Sequence, residues 1–374
     1  MRTDVHVCQM RTPGDVSEIA KLFDAGTIDP ADVVAVVGKS EGTGLGRDVG
    51  RETADLAIRT LLAQRTGCSP AEIADRVCIV LSGGSPGVIT PHVALFTRTA
   101  DPAPEPHNGS PRLVVGLSHS EEILPEEVGR MGQISKVRSA VSAAMRDAGL
   151  TDPSDVHLVL VKAPSLTAES IADANSRGHE TVTRDVSIGA EGAICYSNDG
   201  SALGVALALG EADDDQVHDS MVRRDWSVFS DVAMTSSGGE KTHAEVLLLG
   251  NSTGSSSPLR IGHRSMRTII DASAVSGALE SAGIGPGCDV SETSKAVVYA
   301  LAKMIMPETA ELDGRRITML DDQVGYHVAK AMGGFLLASL TGHTTVFVSG
   351  GERNSHQGPP NGNPLAIIVK ATEE

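Results

Sequence analysis

Three strand-like runs in this chain each deliver a lysine, and that recurrence limits the folds open to it. Val33-Val34-Ala35-Val36-Val37-Gly38 leads into Lys39, Val156-His157-Leu158-Val159-Leu160-Val161 into Lys162, and Ala296-Val297-Val298-Tyr299-Ala300-Leu301-Ala302 into Lys303. Short apolar, β-branched runs of this kind read as buried strands. In the second run Pro164 follows two residues after the lysine, where it is expected to stop the strand. Each strand therefore ends on a cation. Taken singly, such a lysine reads as the first solvated residue, because lysine is seldom buried. Three at corresponding places point instead to a shared site.

A second strand, ending in serine and glycine, recurs downstream of each lysine. Val77 to Leu81 is a strand pattern that stops at Ser82-Gly83-Gly84, Val228 to Met234 runs into Thr235-Ser236-Ser237-Gly238-Gly239, and Thr345 to Val348 meets Ser349-Gly350-Gly351. The lysine-to-serine separations are about 43, 74 and 46 residues, beyond the usual short solenoid repeats. Helical periodicity marks 15–23, 51–64, a segment capped by Ser69-Pro70-Ala71-Glu72, 134–148, 202–209, 274–282 and 327–340. The expected fold class is α/β, with three similar repeat units around a pseudo-threefold axis and a central β-barrel-like core of strands surrounded by helices. The units are expected at 1–103, 111–250 and 258–374. Between them lie the proline-rich segment Asp101 to Gly109 and the polar segment Asn251 to Ser257, both read as linkers. The third unit is expected to open with a strand near Thr268 to Ile270.

Charge narrows the partners. Among 374 residues, 31 basic against 48 acidic give a net charge of -17, which argues against nucleic acid or an anionic membrane as partner. Any anionic ligand must then be held by a local basic cluster. With 5 Phe, 3 Tyr and 1 Trp, platforms for stacking bases are scarce. Cys8, Cys68, Cys78, Cys195 and Cys288 are scattered, and the 12 histidines show no ligand spacing along the chain. A reduced, cytoplasmic setting without a zinc site is the expectation. No segment approaches eighteen uninterrupted apolar residues, so neither export nor membrane spanning is expected.

If the three lysine strands converge, the ammonium groups repel. Two unit charges about 6 Å apart at an effective dielectric of about 20 cost about 2.8 kcal/mol. Two such neighbours bring a lysine from about 10.4 toward the range of about 7 to 8 that suits a general base. A serine beside a neutral lysine is an activated nucleophile, and glycines after it let backbone N–H groups approach a developing oxyanion. The chemistry implied is acyl transfer to water on a small, anionic carbonyl compound. Simpler readings exist for each part: Ser-Gly-Gly after a strand also makes an ordinary turn. Gly38-Lys39-Ser40 is not a phosphate loop, because Val33 stands where that motif needs glycine.

Together the motifs resemble the ring-opening amidohydrolases, the family of cyanuric acid hydrolase and barbiturase. The pieces that carry the resemblance are Gly38-Lys39-Ser40-Glu41-Gly42 with Arg51, Leu81-Ser82-Gly83-Gly84 with Pro91-His92, Val161-Lys162-Ala163-Pro164, Ser201 to Glu211, Ser236-Ser237-Gly238-Gly239-Glu240, and Ser349-Gly350-Gly351 with His356-Gln357-Gly358-Pro359-Pro360. The resemblance implies three α/β units assembled as a homotetramer that cleaves a cyclic amide in a small, flat, nearly threefold-symmetric ring. It makes Lys162 the base and Ser236 the nucleophile, with Ser237 a rival that alignment of the Ser-Gly-Gly segments selects. Ser82 with Gly83 and Ser349 with Gly350 would polarise the other ring carbonyls, and Lys39 and Lys303 would tune the site. Of the family's gripping arginines, Arg51 is kept, the second falls on Asn198, and the third falls on Lys330, which donates without a planar fork. The family's acidic metal ligand falls on Met304, so no metal or other cofactor is expected. Two alternatives stay open: a hydrolase for a less symmetric imide or pyrimidine-like ring, and a non-catalytic small-ligand-binding relic.

Overall fold

Side-chain alternation in the strands decides the architecture. The computed structural model describes residues 1–42, 48–100, 109–187, 189–307, 309, 311–318, 325–351 and 354–371. Most of the proline-rich segment and residues 43–47 of the glycine-rich loop therefore lie outside the described residues. In β6 (Val156–Pro164), Leu158 and Leu160 face a core shared with the other sheets, while Val159, Val161 and Ala163 face the local helices. The strands Val33–Ser40, His92–Thr99, His243–Ser252, Val297–Ile305 and Leu365–Lys370 repeat this two-sided burial, as the period of two requires when both faces are covered.

Each sheet is drawn from one continuous stretch of chain. Unit A contains β1 (Arg2–Gln9), α1 (Ser17–Asp24), β2 (Val33–Ser40), α2 (Val49–Thr66), α3 (Pro70–Arg76), β3 (Cys78–Gly83) and β4 (His92–Thr99). Unit B continues with β5 (Arg112–Glu122), α4 (Met131–Asp147), β6, α5 (Ala168–Ser176), α6 (Ala193–Leu209), β7 (Ala233–Gly238) and β8 (His243–Ser252). Unit C contains β9 (Leu259–His263), α7 (Ala272–Ser281), α8 (Val290–Ala296), β10 (Val297–Ile305), the small hairpin β11 (Glu311–Leu312) and β12 (Arg315–Arg316), α9 (Gly325–Thr341), β13 (Phe347–Gly351) and β14 (Leu365–Lys370). The strand orders are β1-β4-β2-β3, β5-β8-β6-β7 and β9-β14-β10-β13. Written by position in the unit, all three are the same order. The lysine strand and the serine strand pair in parallel each time, and the fourth strand returns antiparallel to the lysine strand.

The inner faces of the three sheets meet in one apolar cluster, to which Val37 and Phe96, Leu160 and Leu247, and Leu301 and Ile368 all belong. Outside, each sheet carries its own helices. Ile58 and Leu62 of α2 cover Val36 and Leu95, Val137 and Val205 of α4 and α6 cover Val159 and Leu248, and Val275 and Leu337 of α7 and α9 cover Ala300 and Ile367. A fully buried residue of this size stabilises the fold by about 1.5–3 kcal/mol relative to exposure. The result is a barrel-like core of three sheets wrapped by helices.

Four sequence expectations need correction. The lysine strands do not end at their lysines: β2 continues through Ser40, β6 through Pro164 and β10 through Ile305. Pro164 fits as the last residue of its strand, where a missing N–H costs least. The first strand of unit C is β9, not Thr268 to Ile270. Its Gly262 is matched by Gly116 of β5; a Cβ there would lie 2.3 Å from the backbone of Ala282, and on Gly116 2.0 Å from that of Ala144, so glycine admits the crossing helix. α6 starts at Ala193, well before Ala202. Residues 251–257 are no solvated linker: Asn251 Nδ2 donates to Ile261 O (2.7 Å), Ser255 Oγ to Leu113 O (2.8 Å) and Ser257 Oγ to Thr3 O (2.6 Å), tying the three units together.

Candidate active site

Register brings the lysines and serines together. Lys39 pairs with Ser82, Lys162 with Ser236 and Lys303 with Ser349, at the same level of each sheet. Each lysine lies two residues beyond an inward-facing core residue (Val37, Leu160, Leu301), as does each serine (Val80, Met234, Phe347). Alternation therefore turns all six side chains toward the interior side of the barrel. Ser237 has the opposite parity: it pairs with Ala163, and its Oγ donates to Ile194 O of α6 at 3.2 Å, in the helix layer.

The lysines are buried, at 0% exposure for Lys39, 5% for Lys162 and 1% for Lys303. Lys39 Nζ donates to Ser82 Oγ (2.9 Å) and Gly83 O (3.4 Å). Lys303 Nζ donates to Ser349 Oγ (3.3 Å) and, across the unit boundary, to Thr235 O (2.9 Å), the residue before Ser236. Lys330 of α9 crosses the other way, donating to Gly83 O at 3.1 Å. Gly83 O thus collects two ammonium donors from two units. Gly350 lies beside Ser349 in β13, paired with Met304.

Lys162 differs from its counterparts. Its Nζ lies 3.3 Å from Glu240 Oε1, and it lines a cavity of about 350 Å³ with Arg51, Arg59, Glu240 and Lys241. Gly238 makes room for that carboxylate, since a Cβ there would sit 2.1 Å from Glu240 Oε2. Burial is the largest cause of the lowered lysine pKa values. It brings Lys162 to about 8, against Glu240, which raises it, and with Arg51 and Lys241, which lower it. Burial, with Lys330 and Lys162 nearby, brings Lys303 to about 7, opposed by Cys195 and Asp199. Lys330 is brought to about 8, opposed by Asp48. Lys39 is held well below its ordinary value by burial and by Lys330 and Lys303, against Asp48. Mutual repulsion among the strand lysines, the cause expected from sequence, acts below desolvation at Lys39 and Lys303, while at Lys162 the lowering cations are Arg51 and Lys241.

The remaining sequence candidates divide. Asn198 is buried in α6 and lines a small separate cavity with Asp199, Arg223 and Gln357; its Oδ1 has no hydrogen-bond partner. Met304 is fully buried in the apolar cluster of unit C, so it supplies no oxygen where the family's metal carboxylate would stand. Sequence reasoning missed the clamp on Thr235. Its N–H donates to Gln357 Oε1 (2.6 Å) and its Oγ1 to Asn198 O (2.8 Å). Gln357 Nε2 donates to Ser355 Oγ (3.0 Å), Ser355 donates to Asp199, and Asp199 pairs with buried Arg223 at 2.9 Å. An acid in the middle of an otherwise apolar, small-residue helix was the available signal, because a buried charge requires a buried partner.

The comparisons with known proteins agree with this geometry. The profile of the family described as "Amidohydrolase ring-opening protein" matches residues 4–370. The chain belongs to the ring-opening amidohydrolase family. It is 51% identical over 373 residues to a cyclic amide hydrolase of Pseudofrankia inefficax, covering 99% of this chain and 95% of that protein. It is 42% identical to a cyanuric acid amidohydrolase of Bradyrhizobium diazoefficiens, covering 96% of each. A solved cyanuric acid hydrolase, described as an evolutionary innovation by structural concatenation, superposes with a TM-score of 0.92 at 39% identity, covering 99% of both chains. A cyanuric acid hydrolase from A. caulinodans gives 0.87 at 38% identity, again with 99% of both covered. No helix among the described residues is long and apolar enough to cross a membrane.

Proposed function

We propose that this ring-opening amidohydrolase hydrolyses a cyclic amide bond in a small planar nitrogen heterocycle, using Ser236 as nucleophile and Lys162 as base. The observation that carries the reading is the common register and inward parity of three lysine–serine pairs, of which Lys162 alone lines the cavity that also holds Arg51. With a pKa of about 8, roughly one Lys162 in ten is neutral at pH 7. Neutral Lys162 takes the Ser236 proton as Oγ bonds to a ring carbonyl carbon. The oxyanion collapses, the ring C–N bond breaks, and the Lys162 ammonium returns the proton to the leaving nitrogen. Water then adds to the acyl-serine ester, giving a proton to Lys162; the ester bond breaks, Ser236 Oγ is reprotonated, and the opened ring leaves as a carboxylate.

The other pairs act on the remaining carbonyls. Ser82 and Ser349, each held by its lysine, donate to ring oxygens, and Arg51 and Lys330 supply positive charge at two corners. Asn198, with its unpartnered buried oxygen, offers no cation at the third. That favours, as a second reading, a ring less symmetric than cyanuric acid. The setting we propose is cytoplasmic, in keeping with five free cysteines, and the assembly a homotetramer of the 38.7 kDa chain.

The deciding experiment is a substrate screen. Cyanuric acid, barbiturate and related cyclic imides are followed by loss of ring ultraviolet absorbance, with turnover of at least one expected. Folded protein that turns over none would overturn the assignment.

A further inference from the structure

Sheet B carries a second group of polar side chains beyond its core. The inward parity of Leu113 and Val115 on β5 continues to His119, and that of Leu249 and Leu247 on β8 continues to Glu245 and His243. His119 and Glu245 are register partners, so strand pairing unites residues that stand far apart along the chain. The two imidazole rings are 5.2 Å apart, edge to face. One ligating atom from each of His119, His243 and Glu245 lies within 4.8 Å of the others.

Glu245 supplies the independent sign of a ligand. It is 5% exposed, Lys241 holds its Oε1, and its Oε2 is buried without a hydrogen-bond partner. An orphaned, buried carboxylate oxygen is costly, and a cation relieves that cost. Two imidazoles and a carboxylate are a donor set suited to zinc and its transition-metal neighbours, not to magnesium or calcium. A tetrahedral ion about 2.1 Å from each ligand separates its ligands by about 3.4 Å. His119 is exposed, so its side chain is free to adjust toward that spacing.

We propose that His119, His243 and Glu245 form a binding site for a divalent transition metal of the zinc class, fastening β5 to β8. The proposal is independent of the Ser236 mechanism. The test strips the full chain with chelator, then measures zinc uptake by equilibrium dialysis and elemental analysis, with cobalt as a spectroscopic probe. One ion per chain is expected, together with the visible absorption of low-coordinate cobalt and a rise in Tm on zinc addition. His119→Ala, a surface change that leaves the core intact, should weaken affinity at least tenfold, and H119A/H243A should abolish both uptake and the Tm rise. No uptake by the parent protein, or uptake unchanged in the double variant, would overturn it.

Discussion

Units A and C hold their catalytic-type pair closed, and unit B holds its pair open. Lys39 and Lys303 donate directly to Ser82 and Ser349, while Lys162, at the same register, turns to Glu240. The strand pairing is the same in all three, and each has glycine two residues after its serine; what unit B adds is the carboxylate of Glu240 beside Lys162. A lysine bonded to its serine orients a hydroxyl as a fixed donor. A carboxylate beside a lysine favours its protonated form, and displacement of that partner by substrate would increase the neutral fraction available as a base. On the proposed mechanism, the threefold architecture would carry one working corner and two gripping ones.

The contrast between unit B and its neighbours is tested most severely by removing the hydroxyl. Ser236→Ala should lower kcat by about 10³-fold or more, as expected for loss of a nucleophile, while Ser237→Ala stays within a few-fold of the parent. Equal loss in both would place the chemistry in the wrong serine. At the next level, Asn198→Arg with Lys330→Arg should raise kcat/KM on cyanuric acid by about tenfold, by restoring planar donors at two corners. No gain there would detach those positions from ring recognition. A finer test concerns pH. Because Glu240 raises the Lys162 pKa, Glu240→Gln should lower it, moving the acid limb of kcat/KM from about 8 to lower pH. The variant would then lose less rate than the parent as pH falls from about 8 to about 6.5, and an unmoved limb would remove Lys162 as the titrating base.

Much of this was legible because strands with two covered faces write their positions plainly. The run Val156 to Lys162 reads as a buried strand, but with both faces apolar it leaves its parity open, and the inner-core placement of Leu158 and Leu160 is what turns Lys162 inward. The choice between Ser236 and Ser237 was not legible, since the Ser-Gly-Gly alignment selects Ser237 whereas the ladder pairs Lys162 with Ser236. β9 was missed because Arg260, Gly262 and His263 interrupt its apolar pattern, and Gly262 is dictated by a helix distant in sequence. The first half of α6 was missed for a related reason. A helix buried on every side has no amphipathic stripe, and Ser197, Asn198, Asp199 and Gly200 are weak helix formers. The proposed metal ligands were invisible for want of register, as no linear spacing relates His119 to His243.

The burial of four lysines in one interior ties assembly of the barrel to proton release. In the unfolded chain each ammonium is solvated and keeps its proton near neutral pH. Closing the three sheets lowers the affinity of all four for that proton, so these lysines bind fewer protons in the folded chain than in the unfolded one from about pH 7 to about pH 10.5. By linkage, alkalinity across that window favours the closed barrel, and acidification through it works against the barrel. The charges that equip the interior for catalysis are thus a load on folding, one that solvent bases remove.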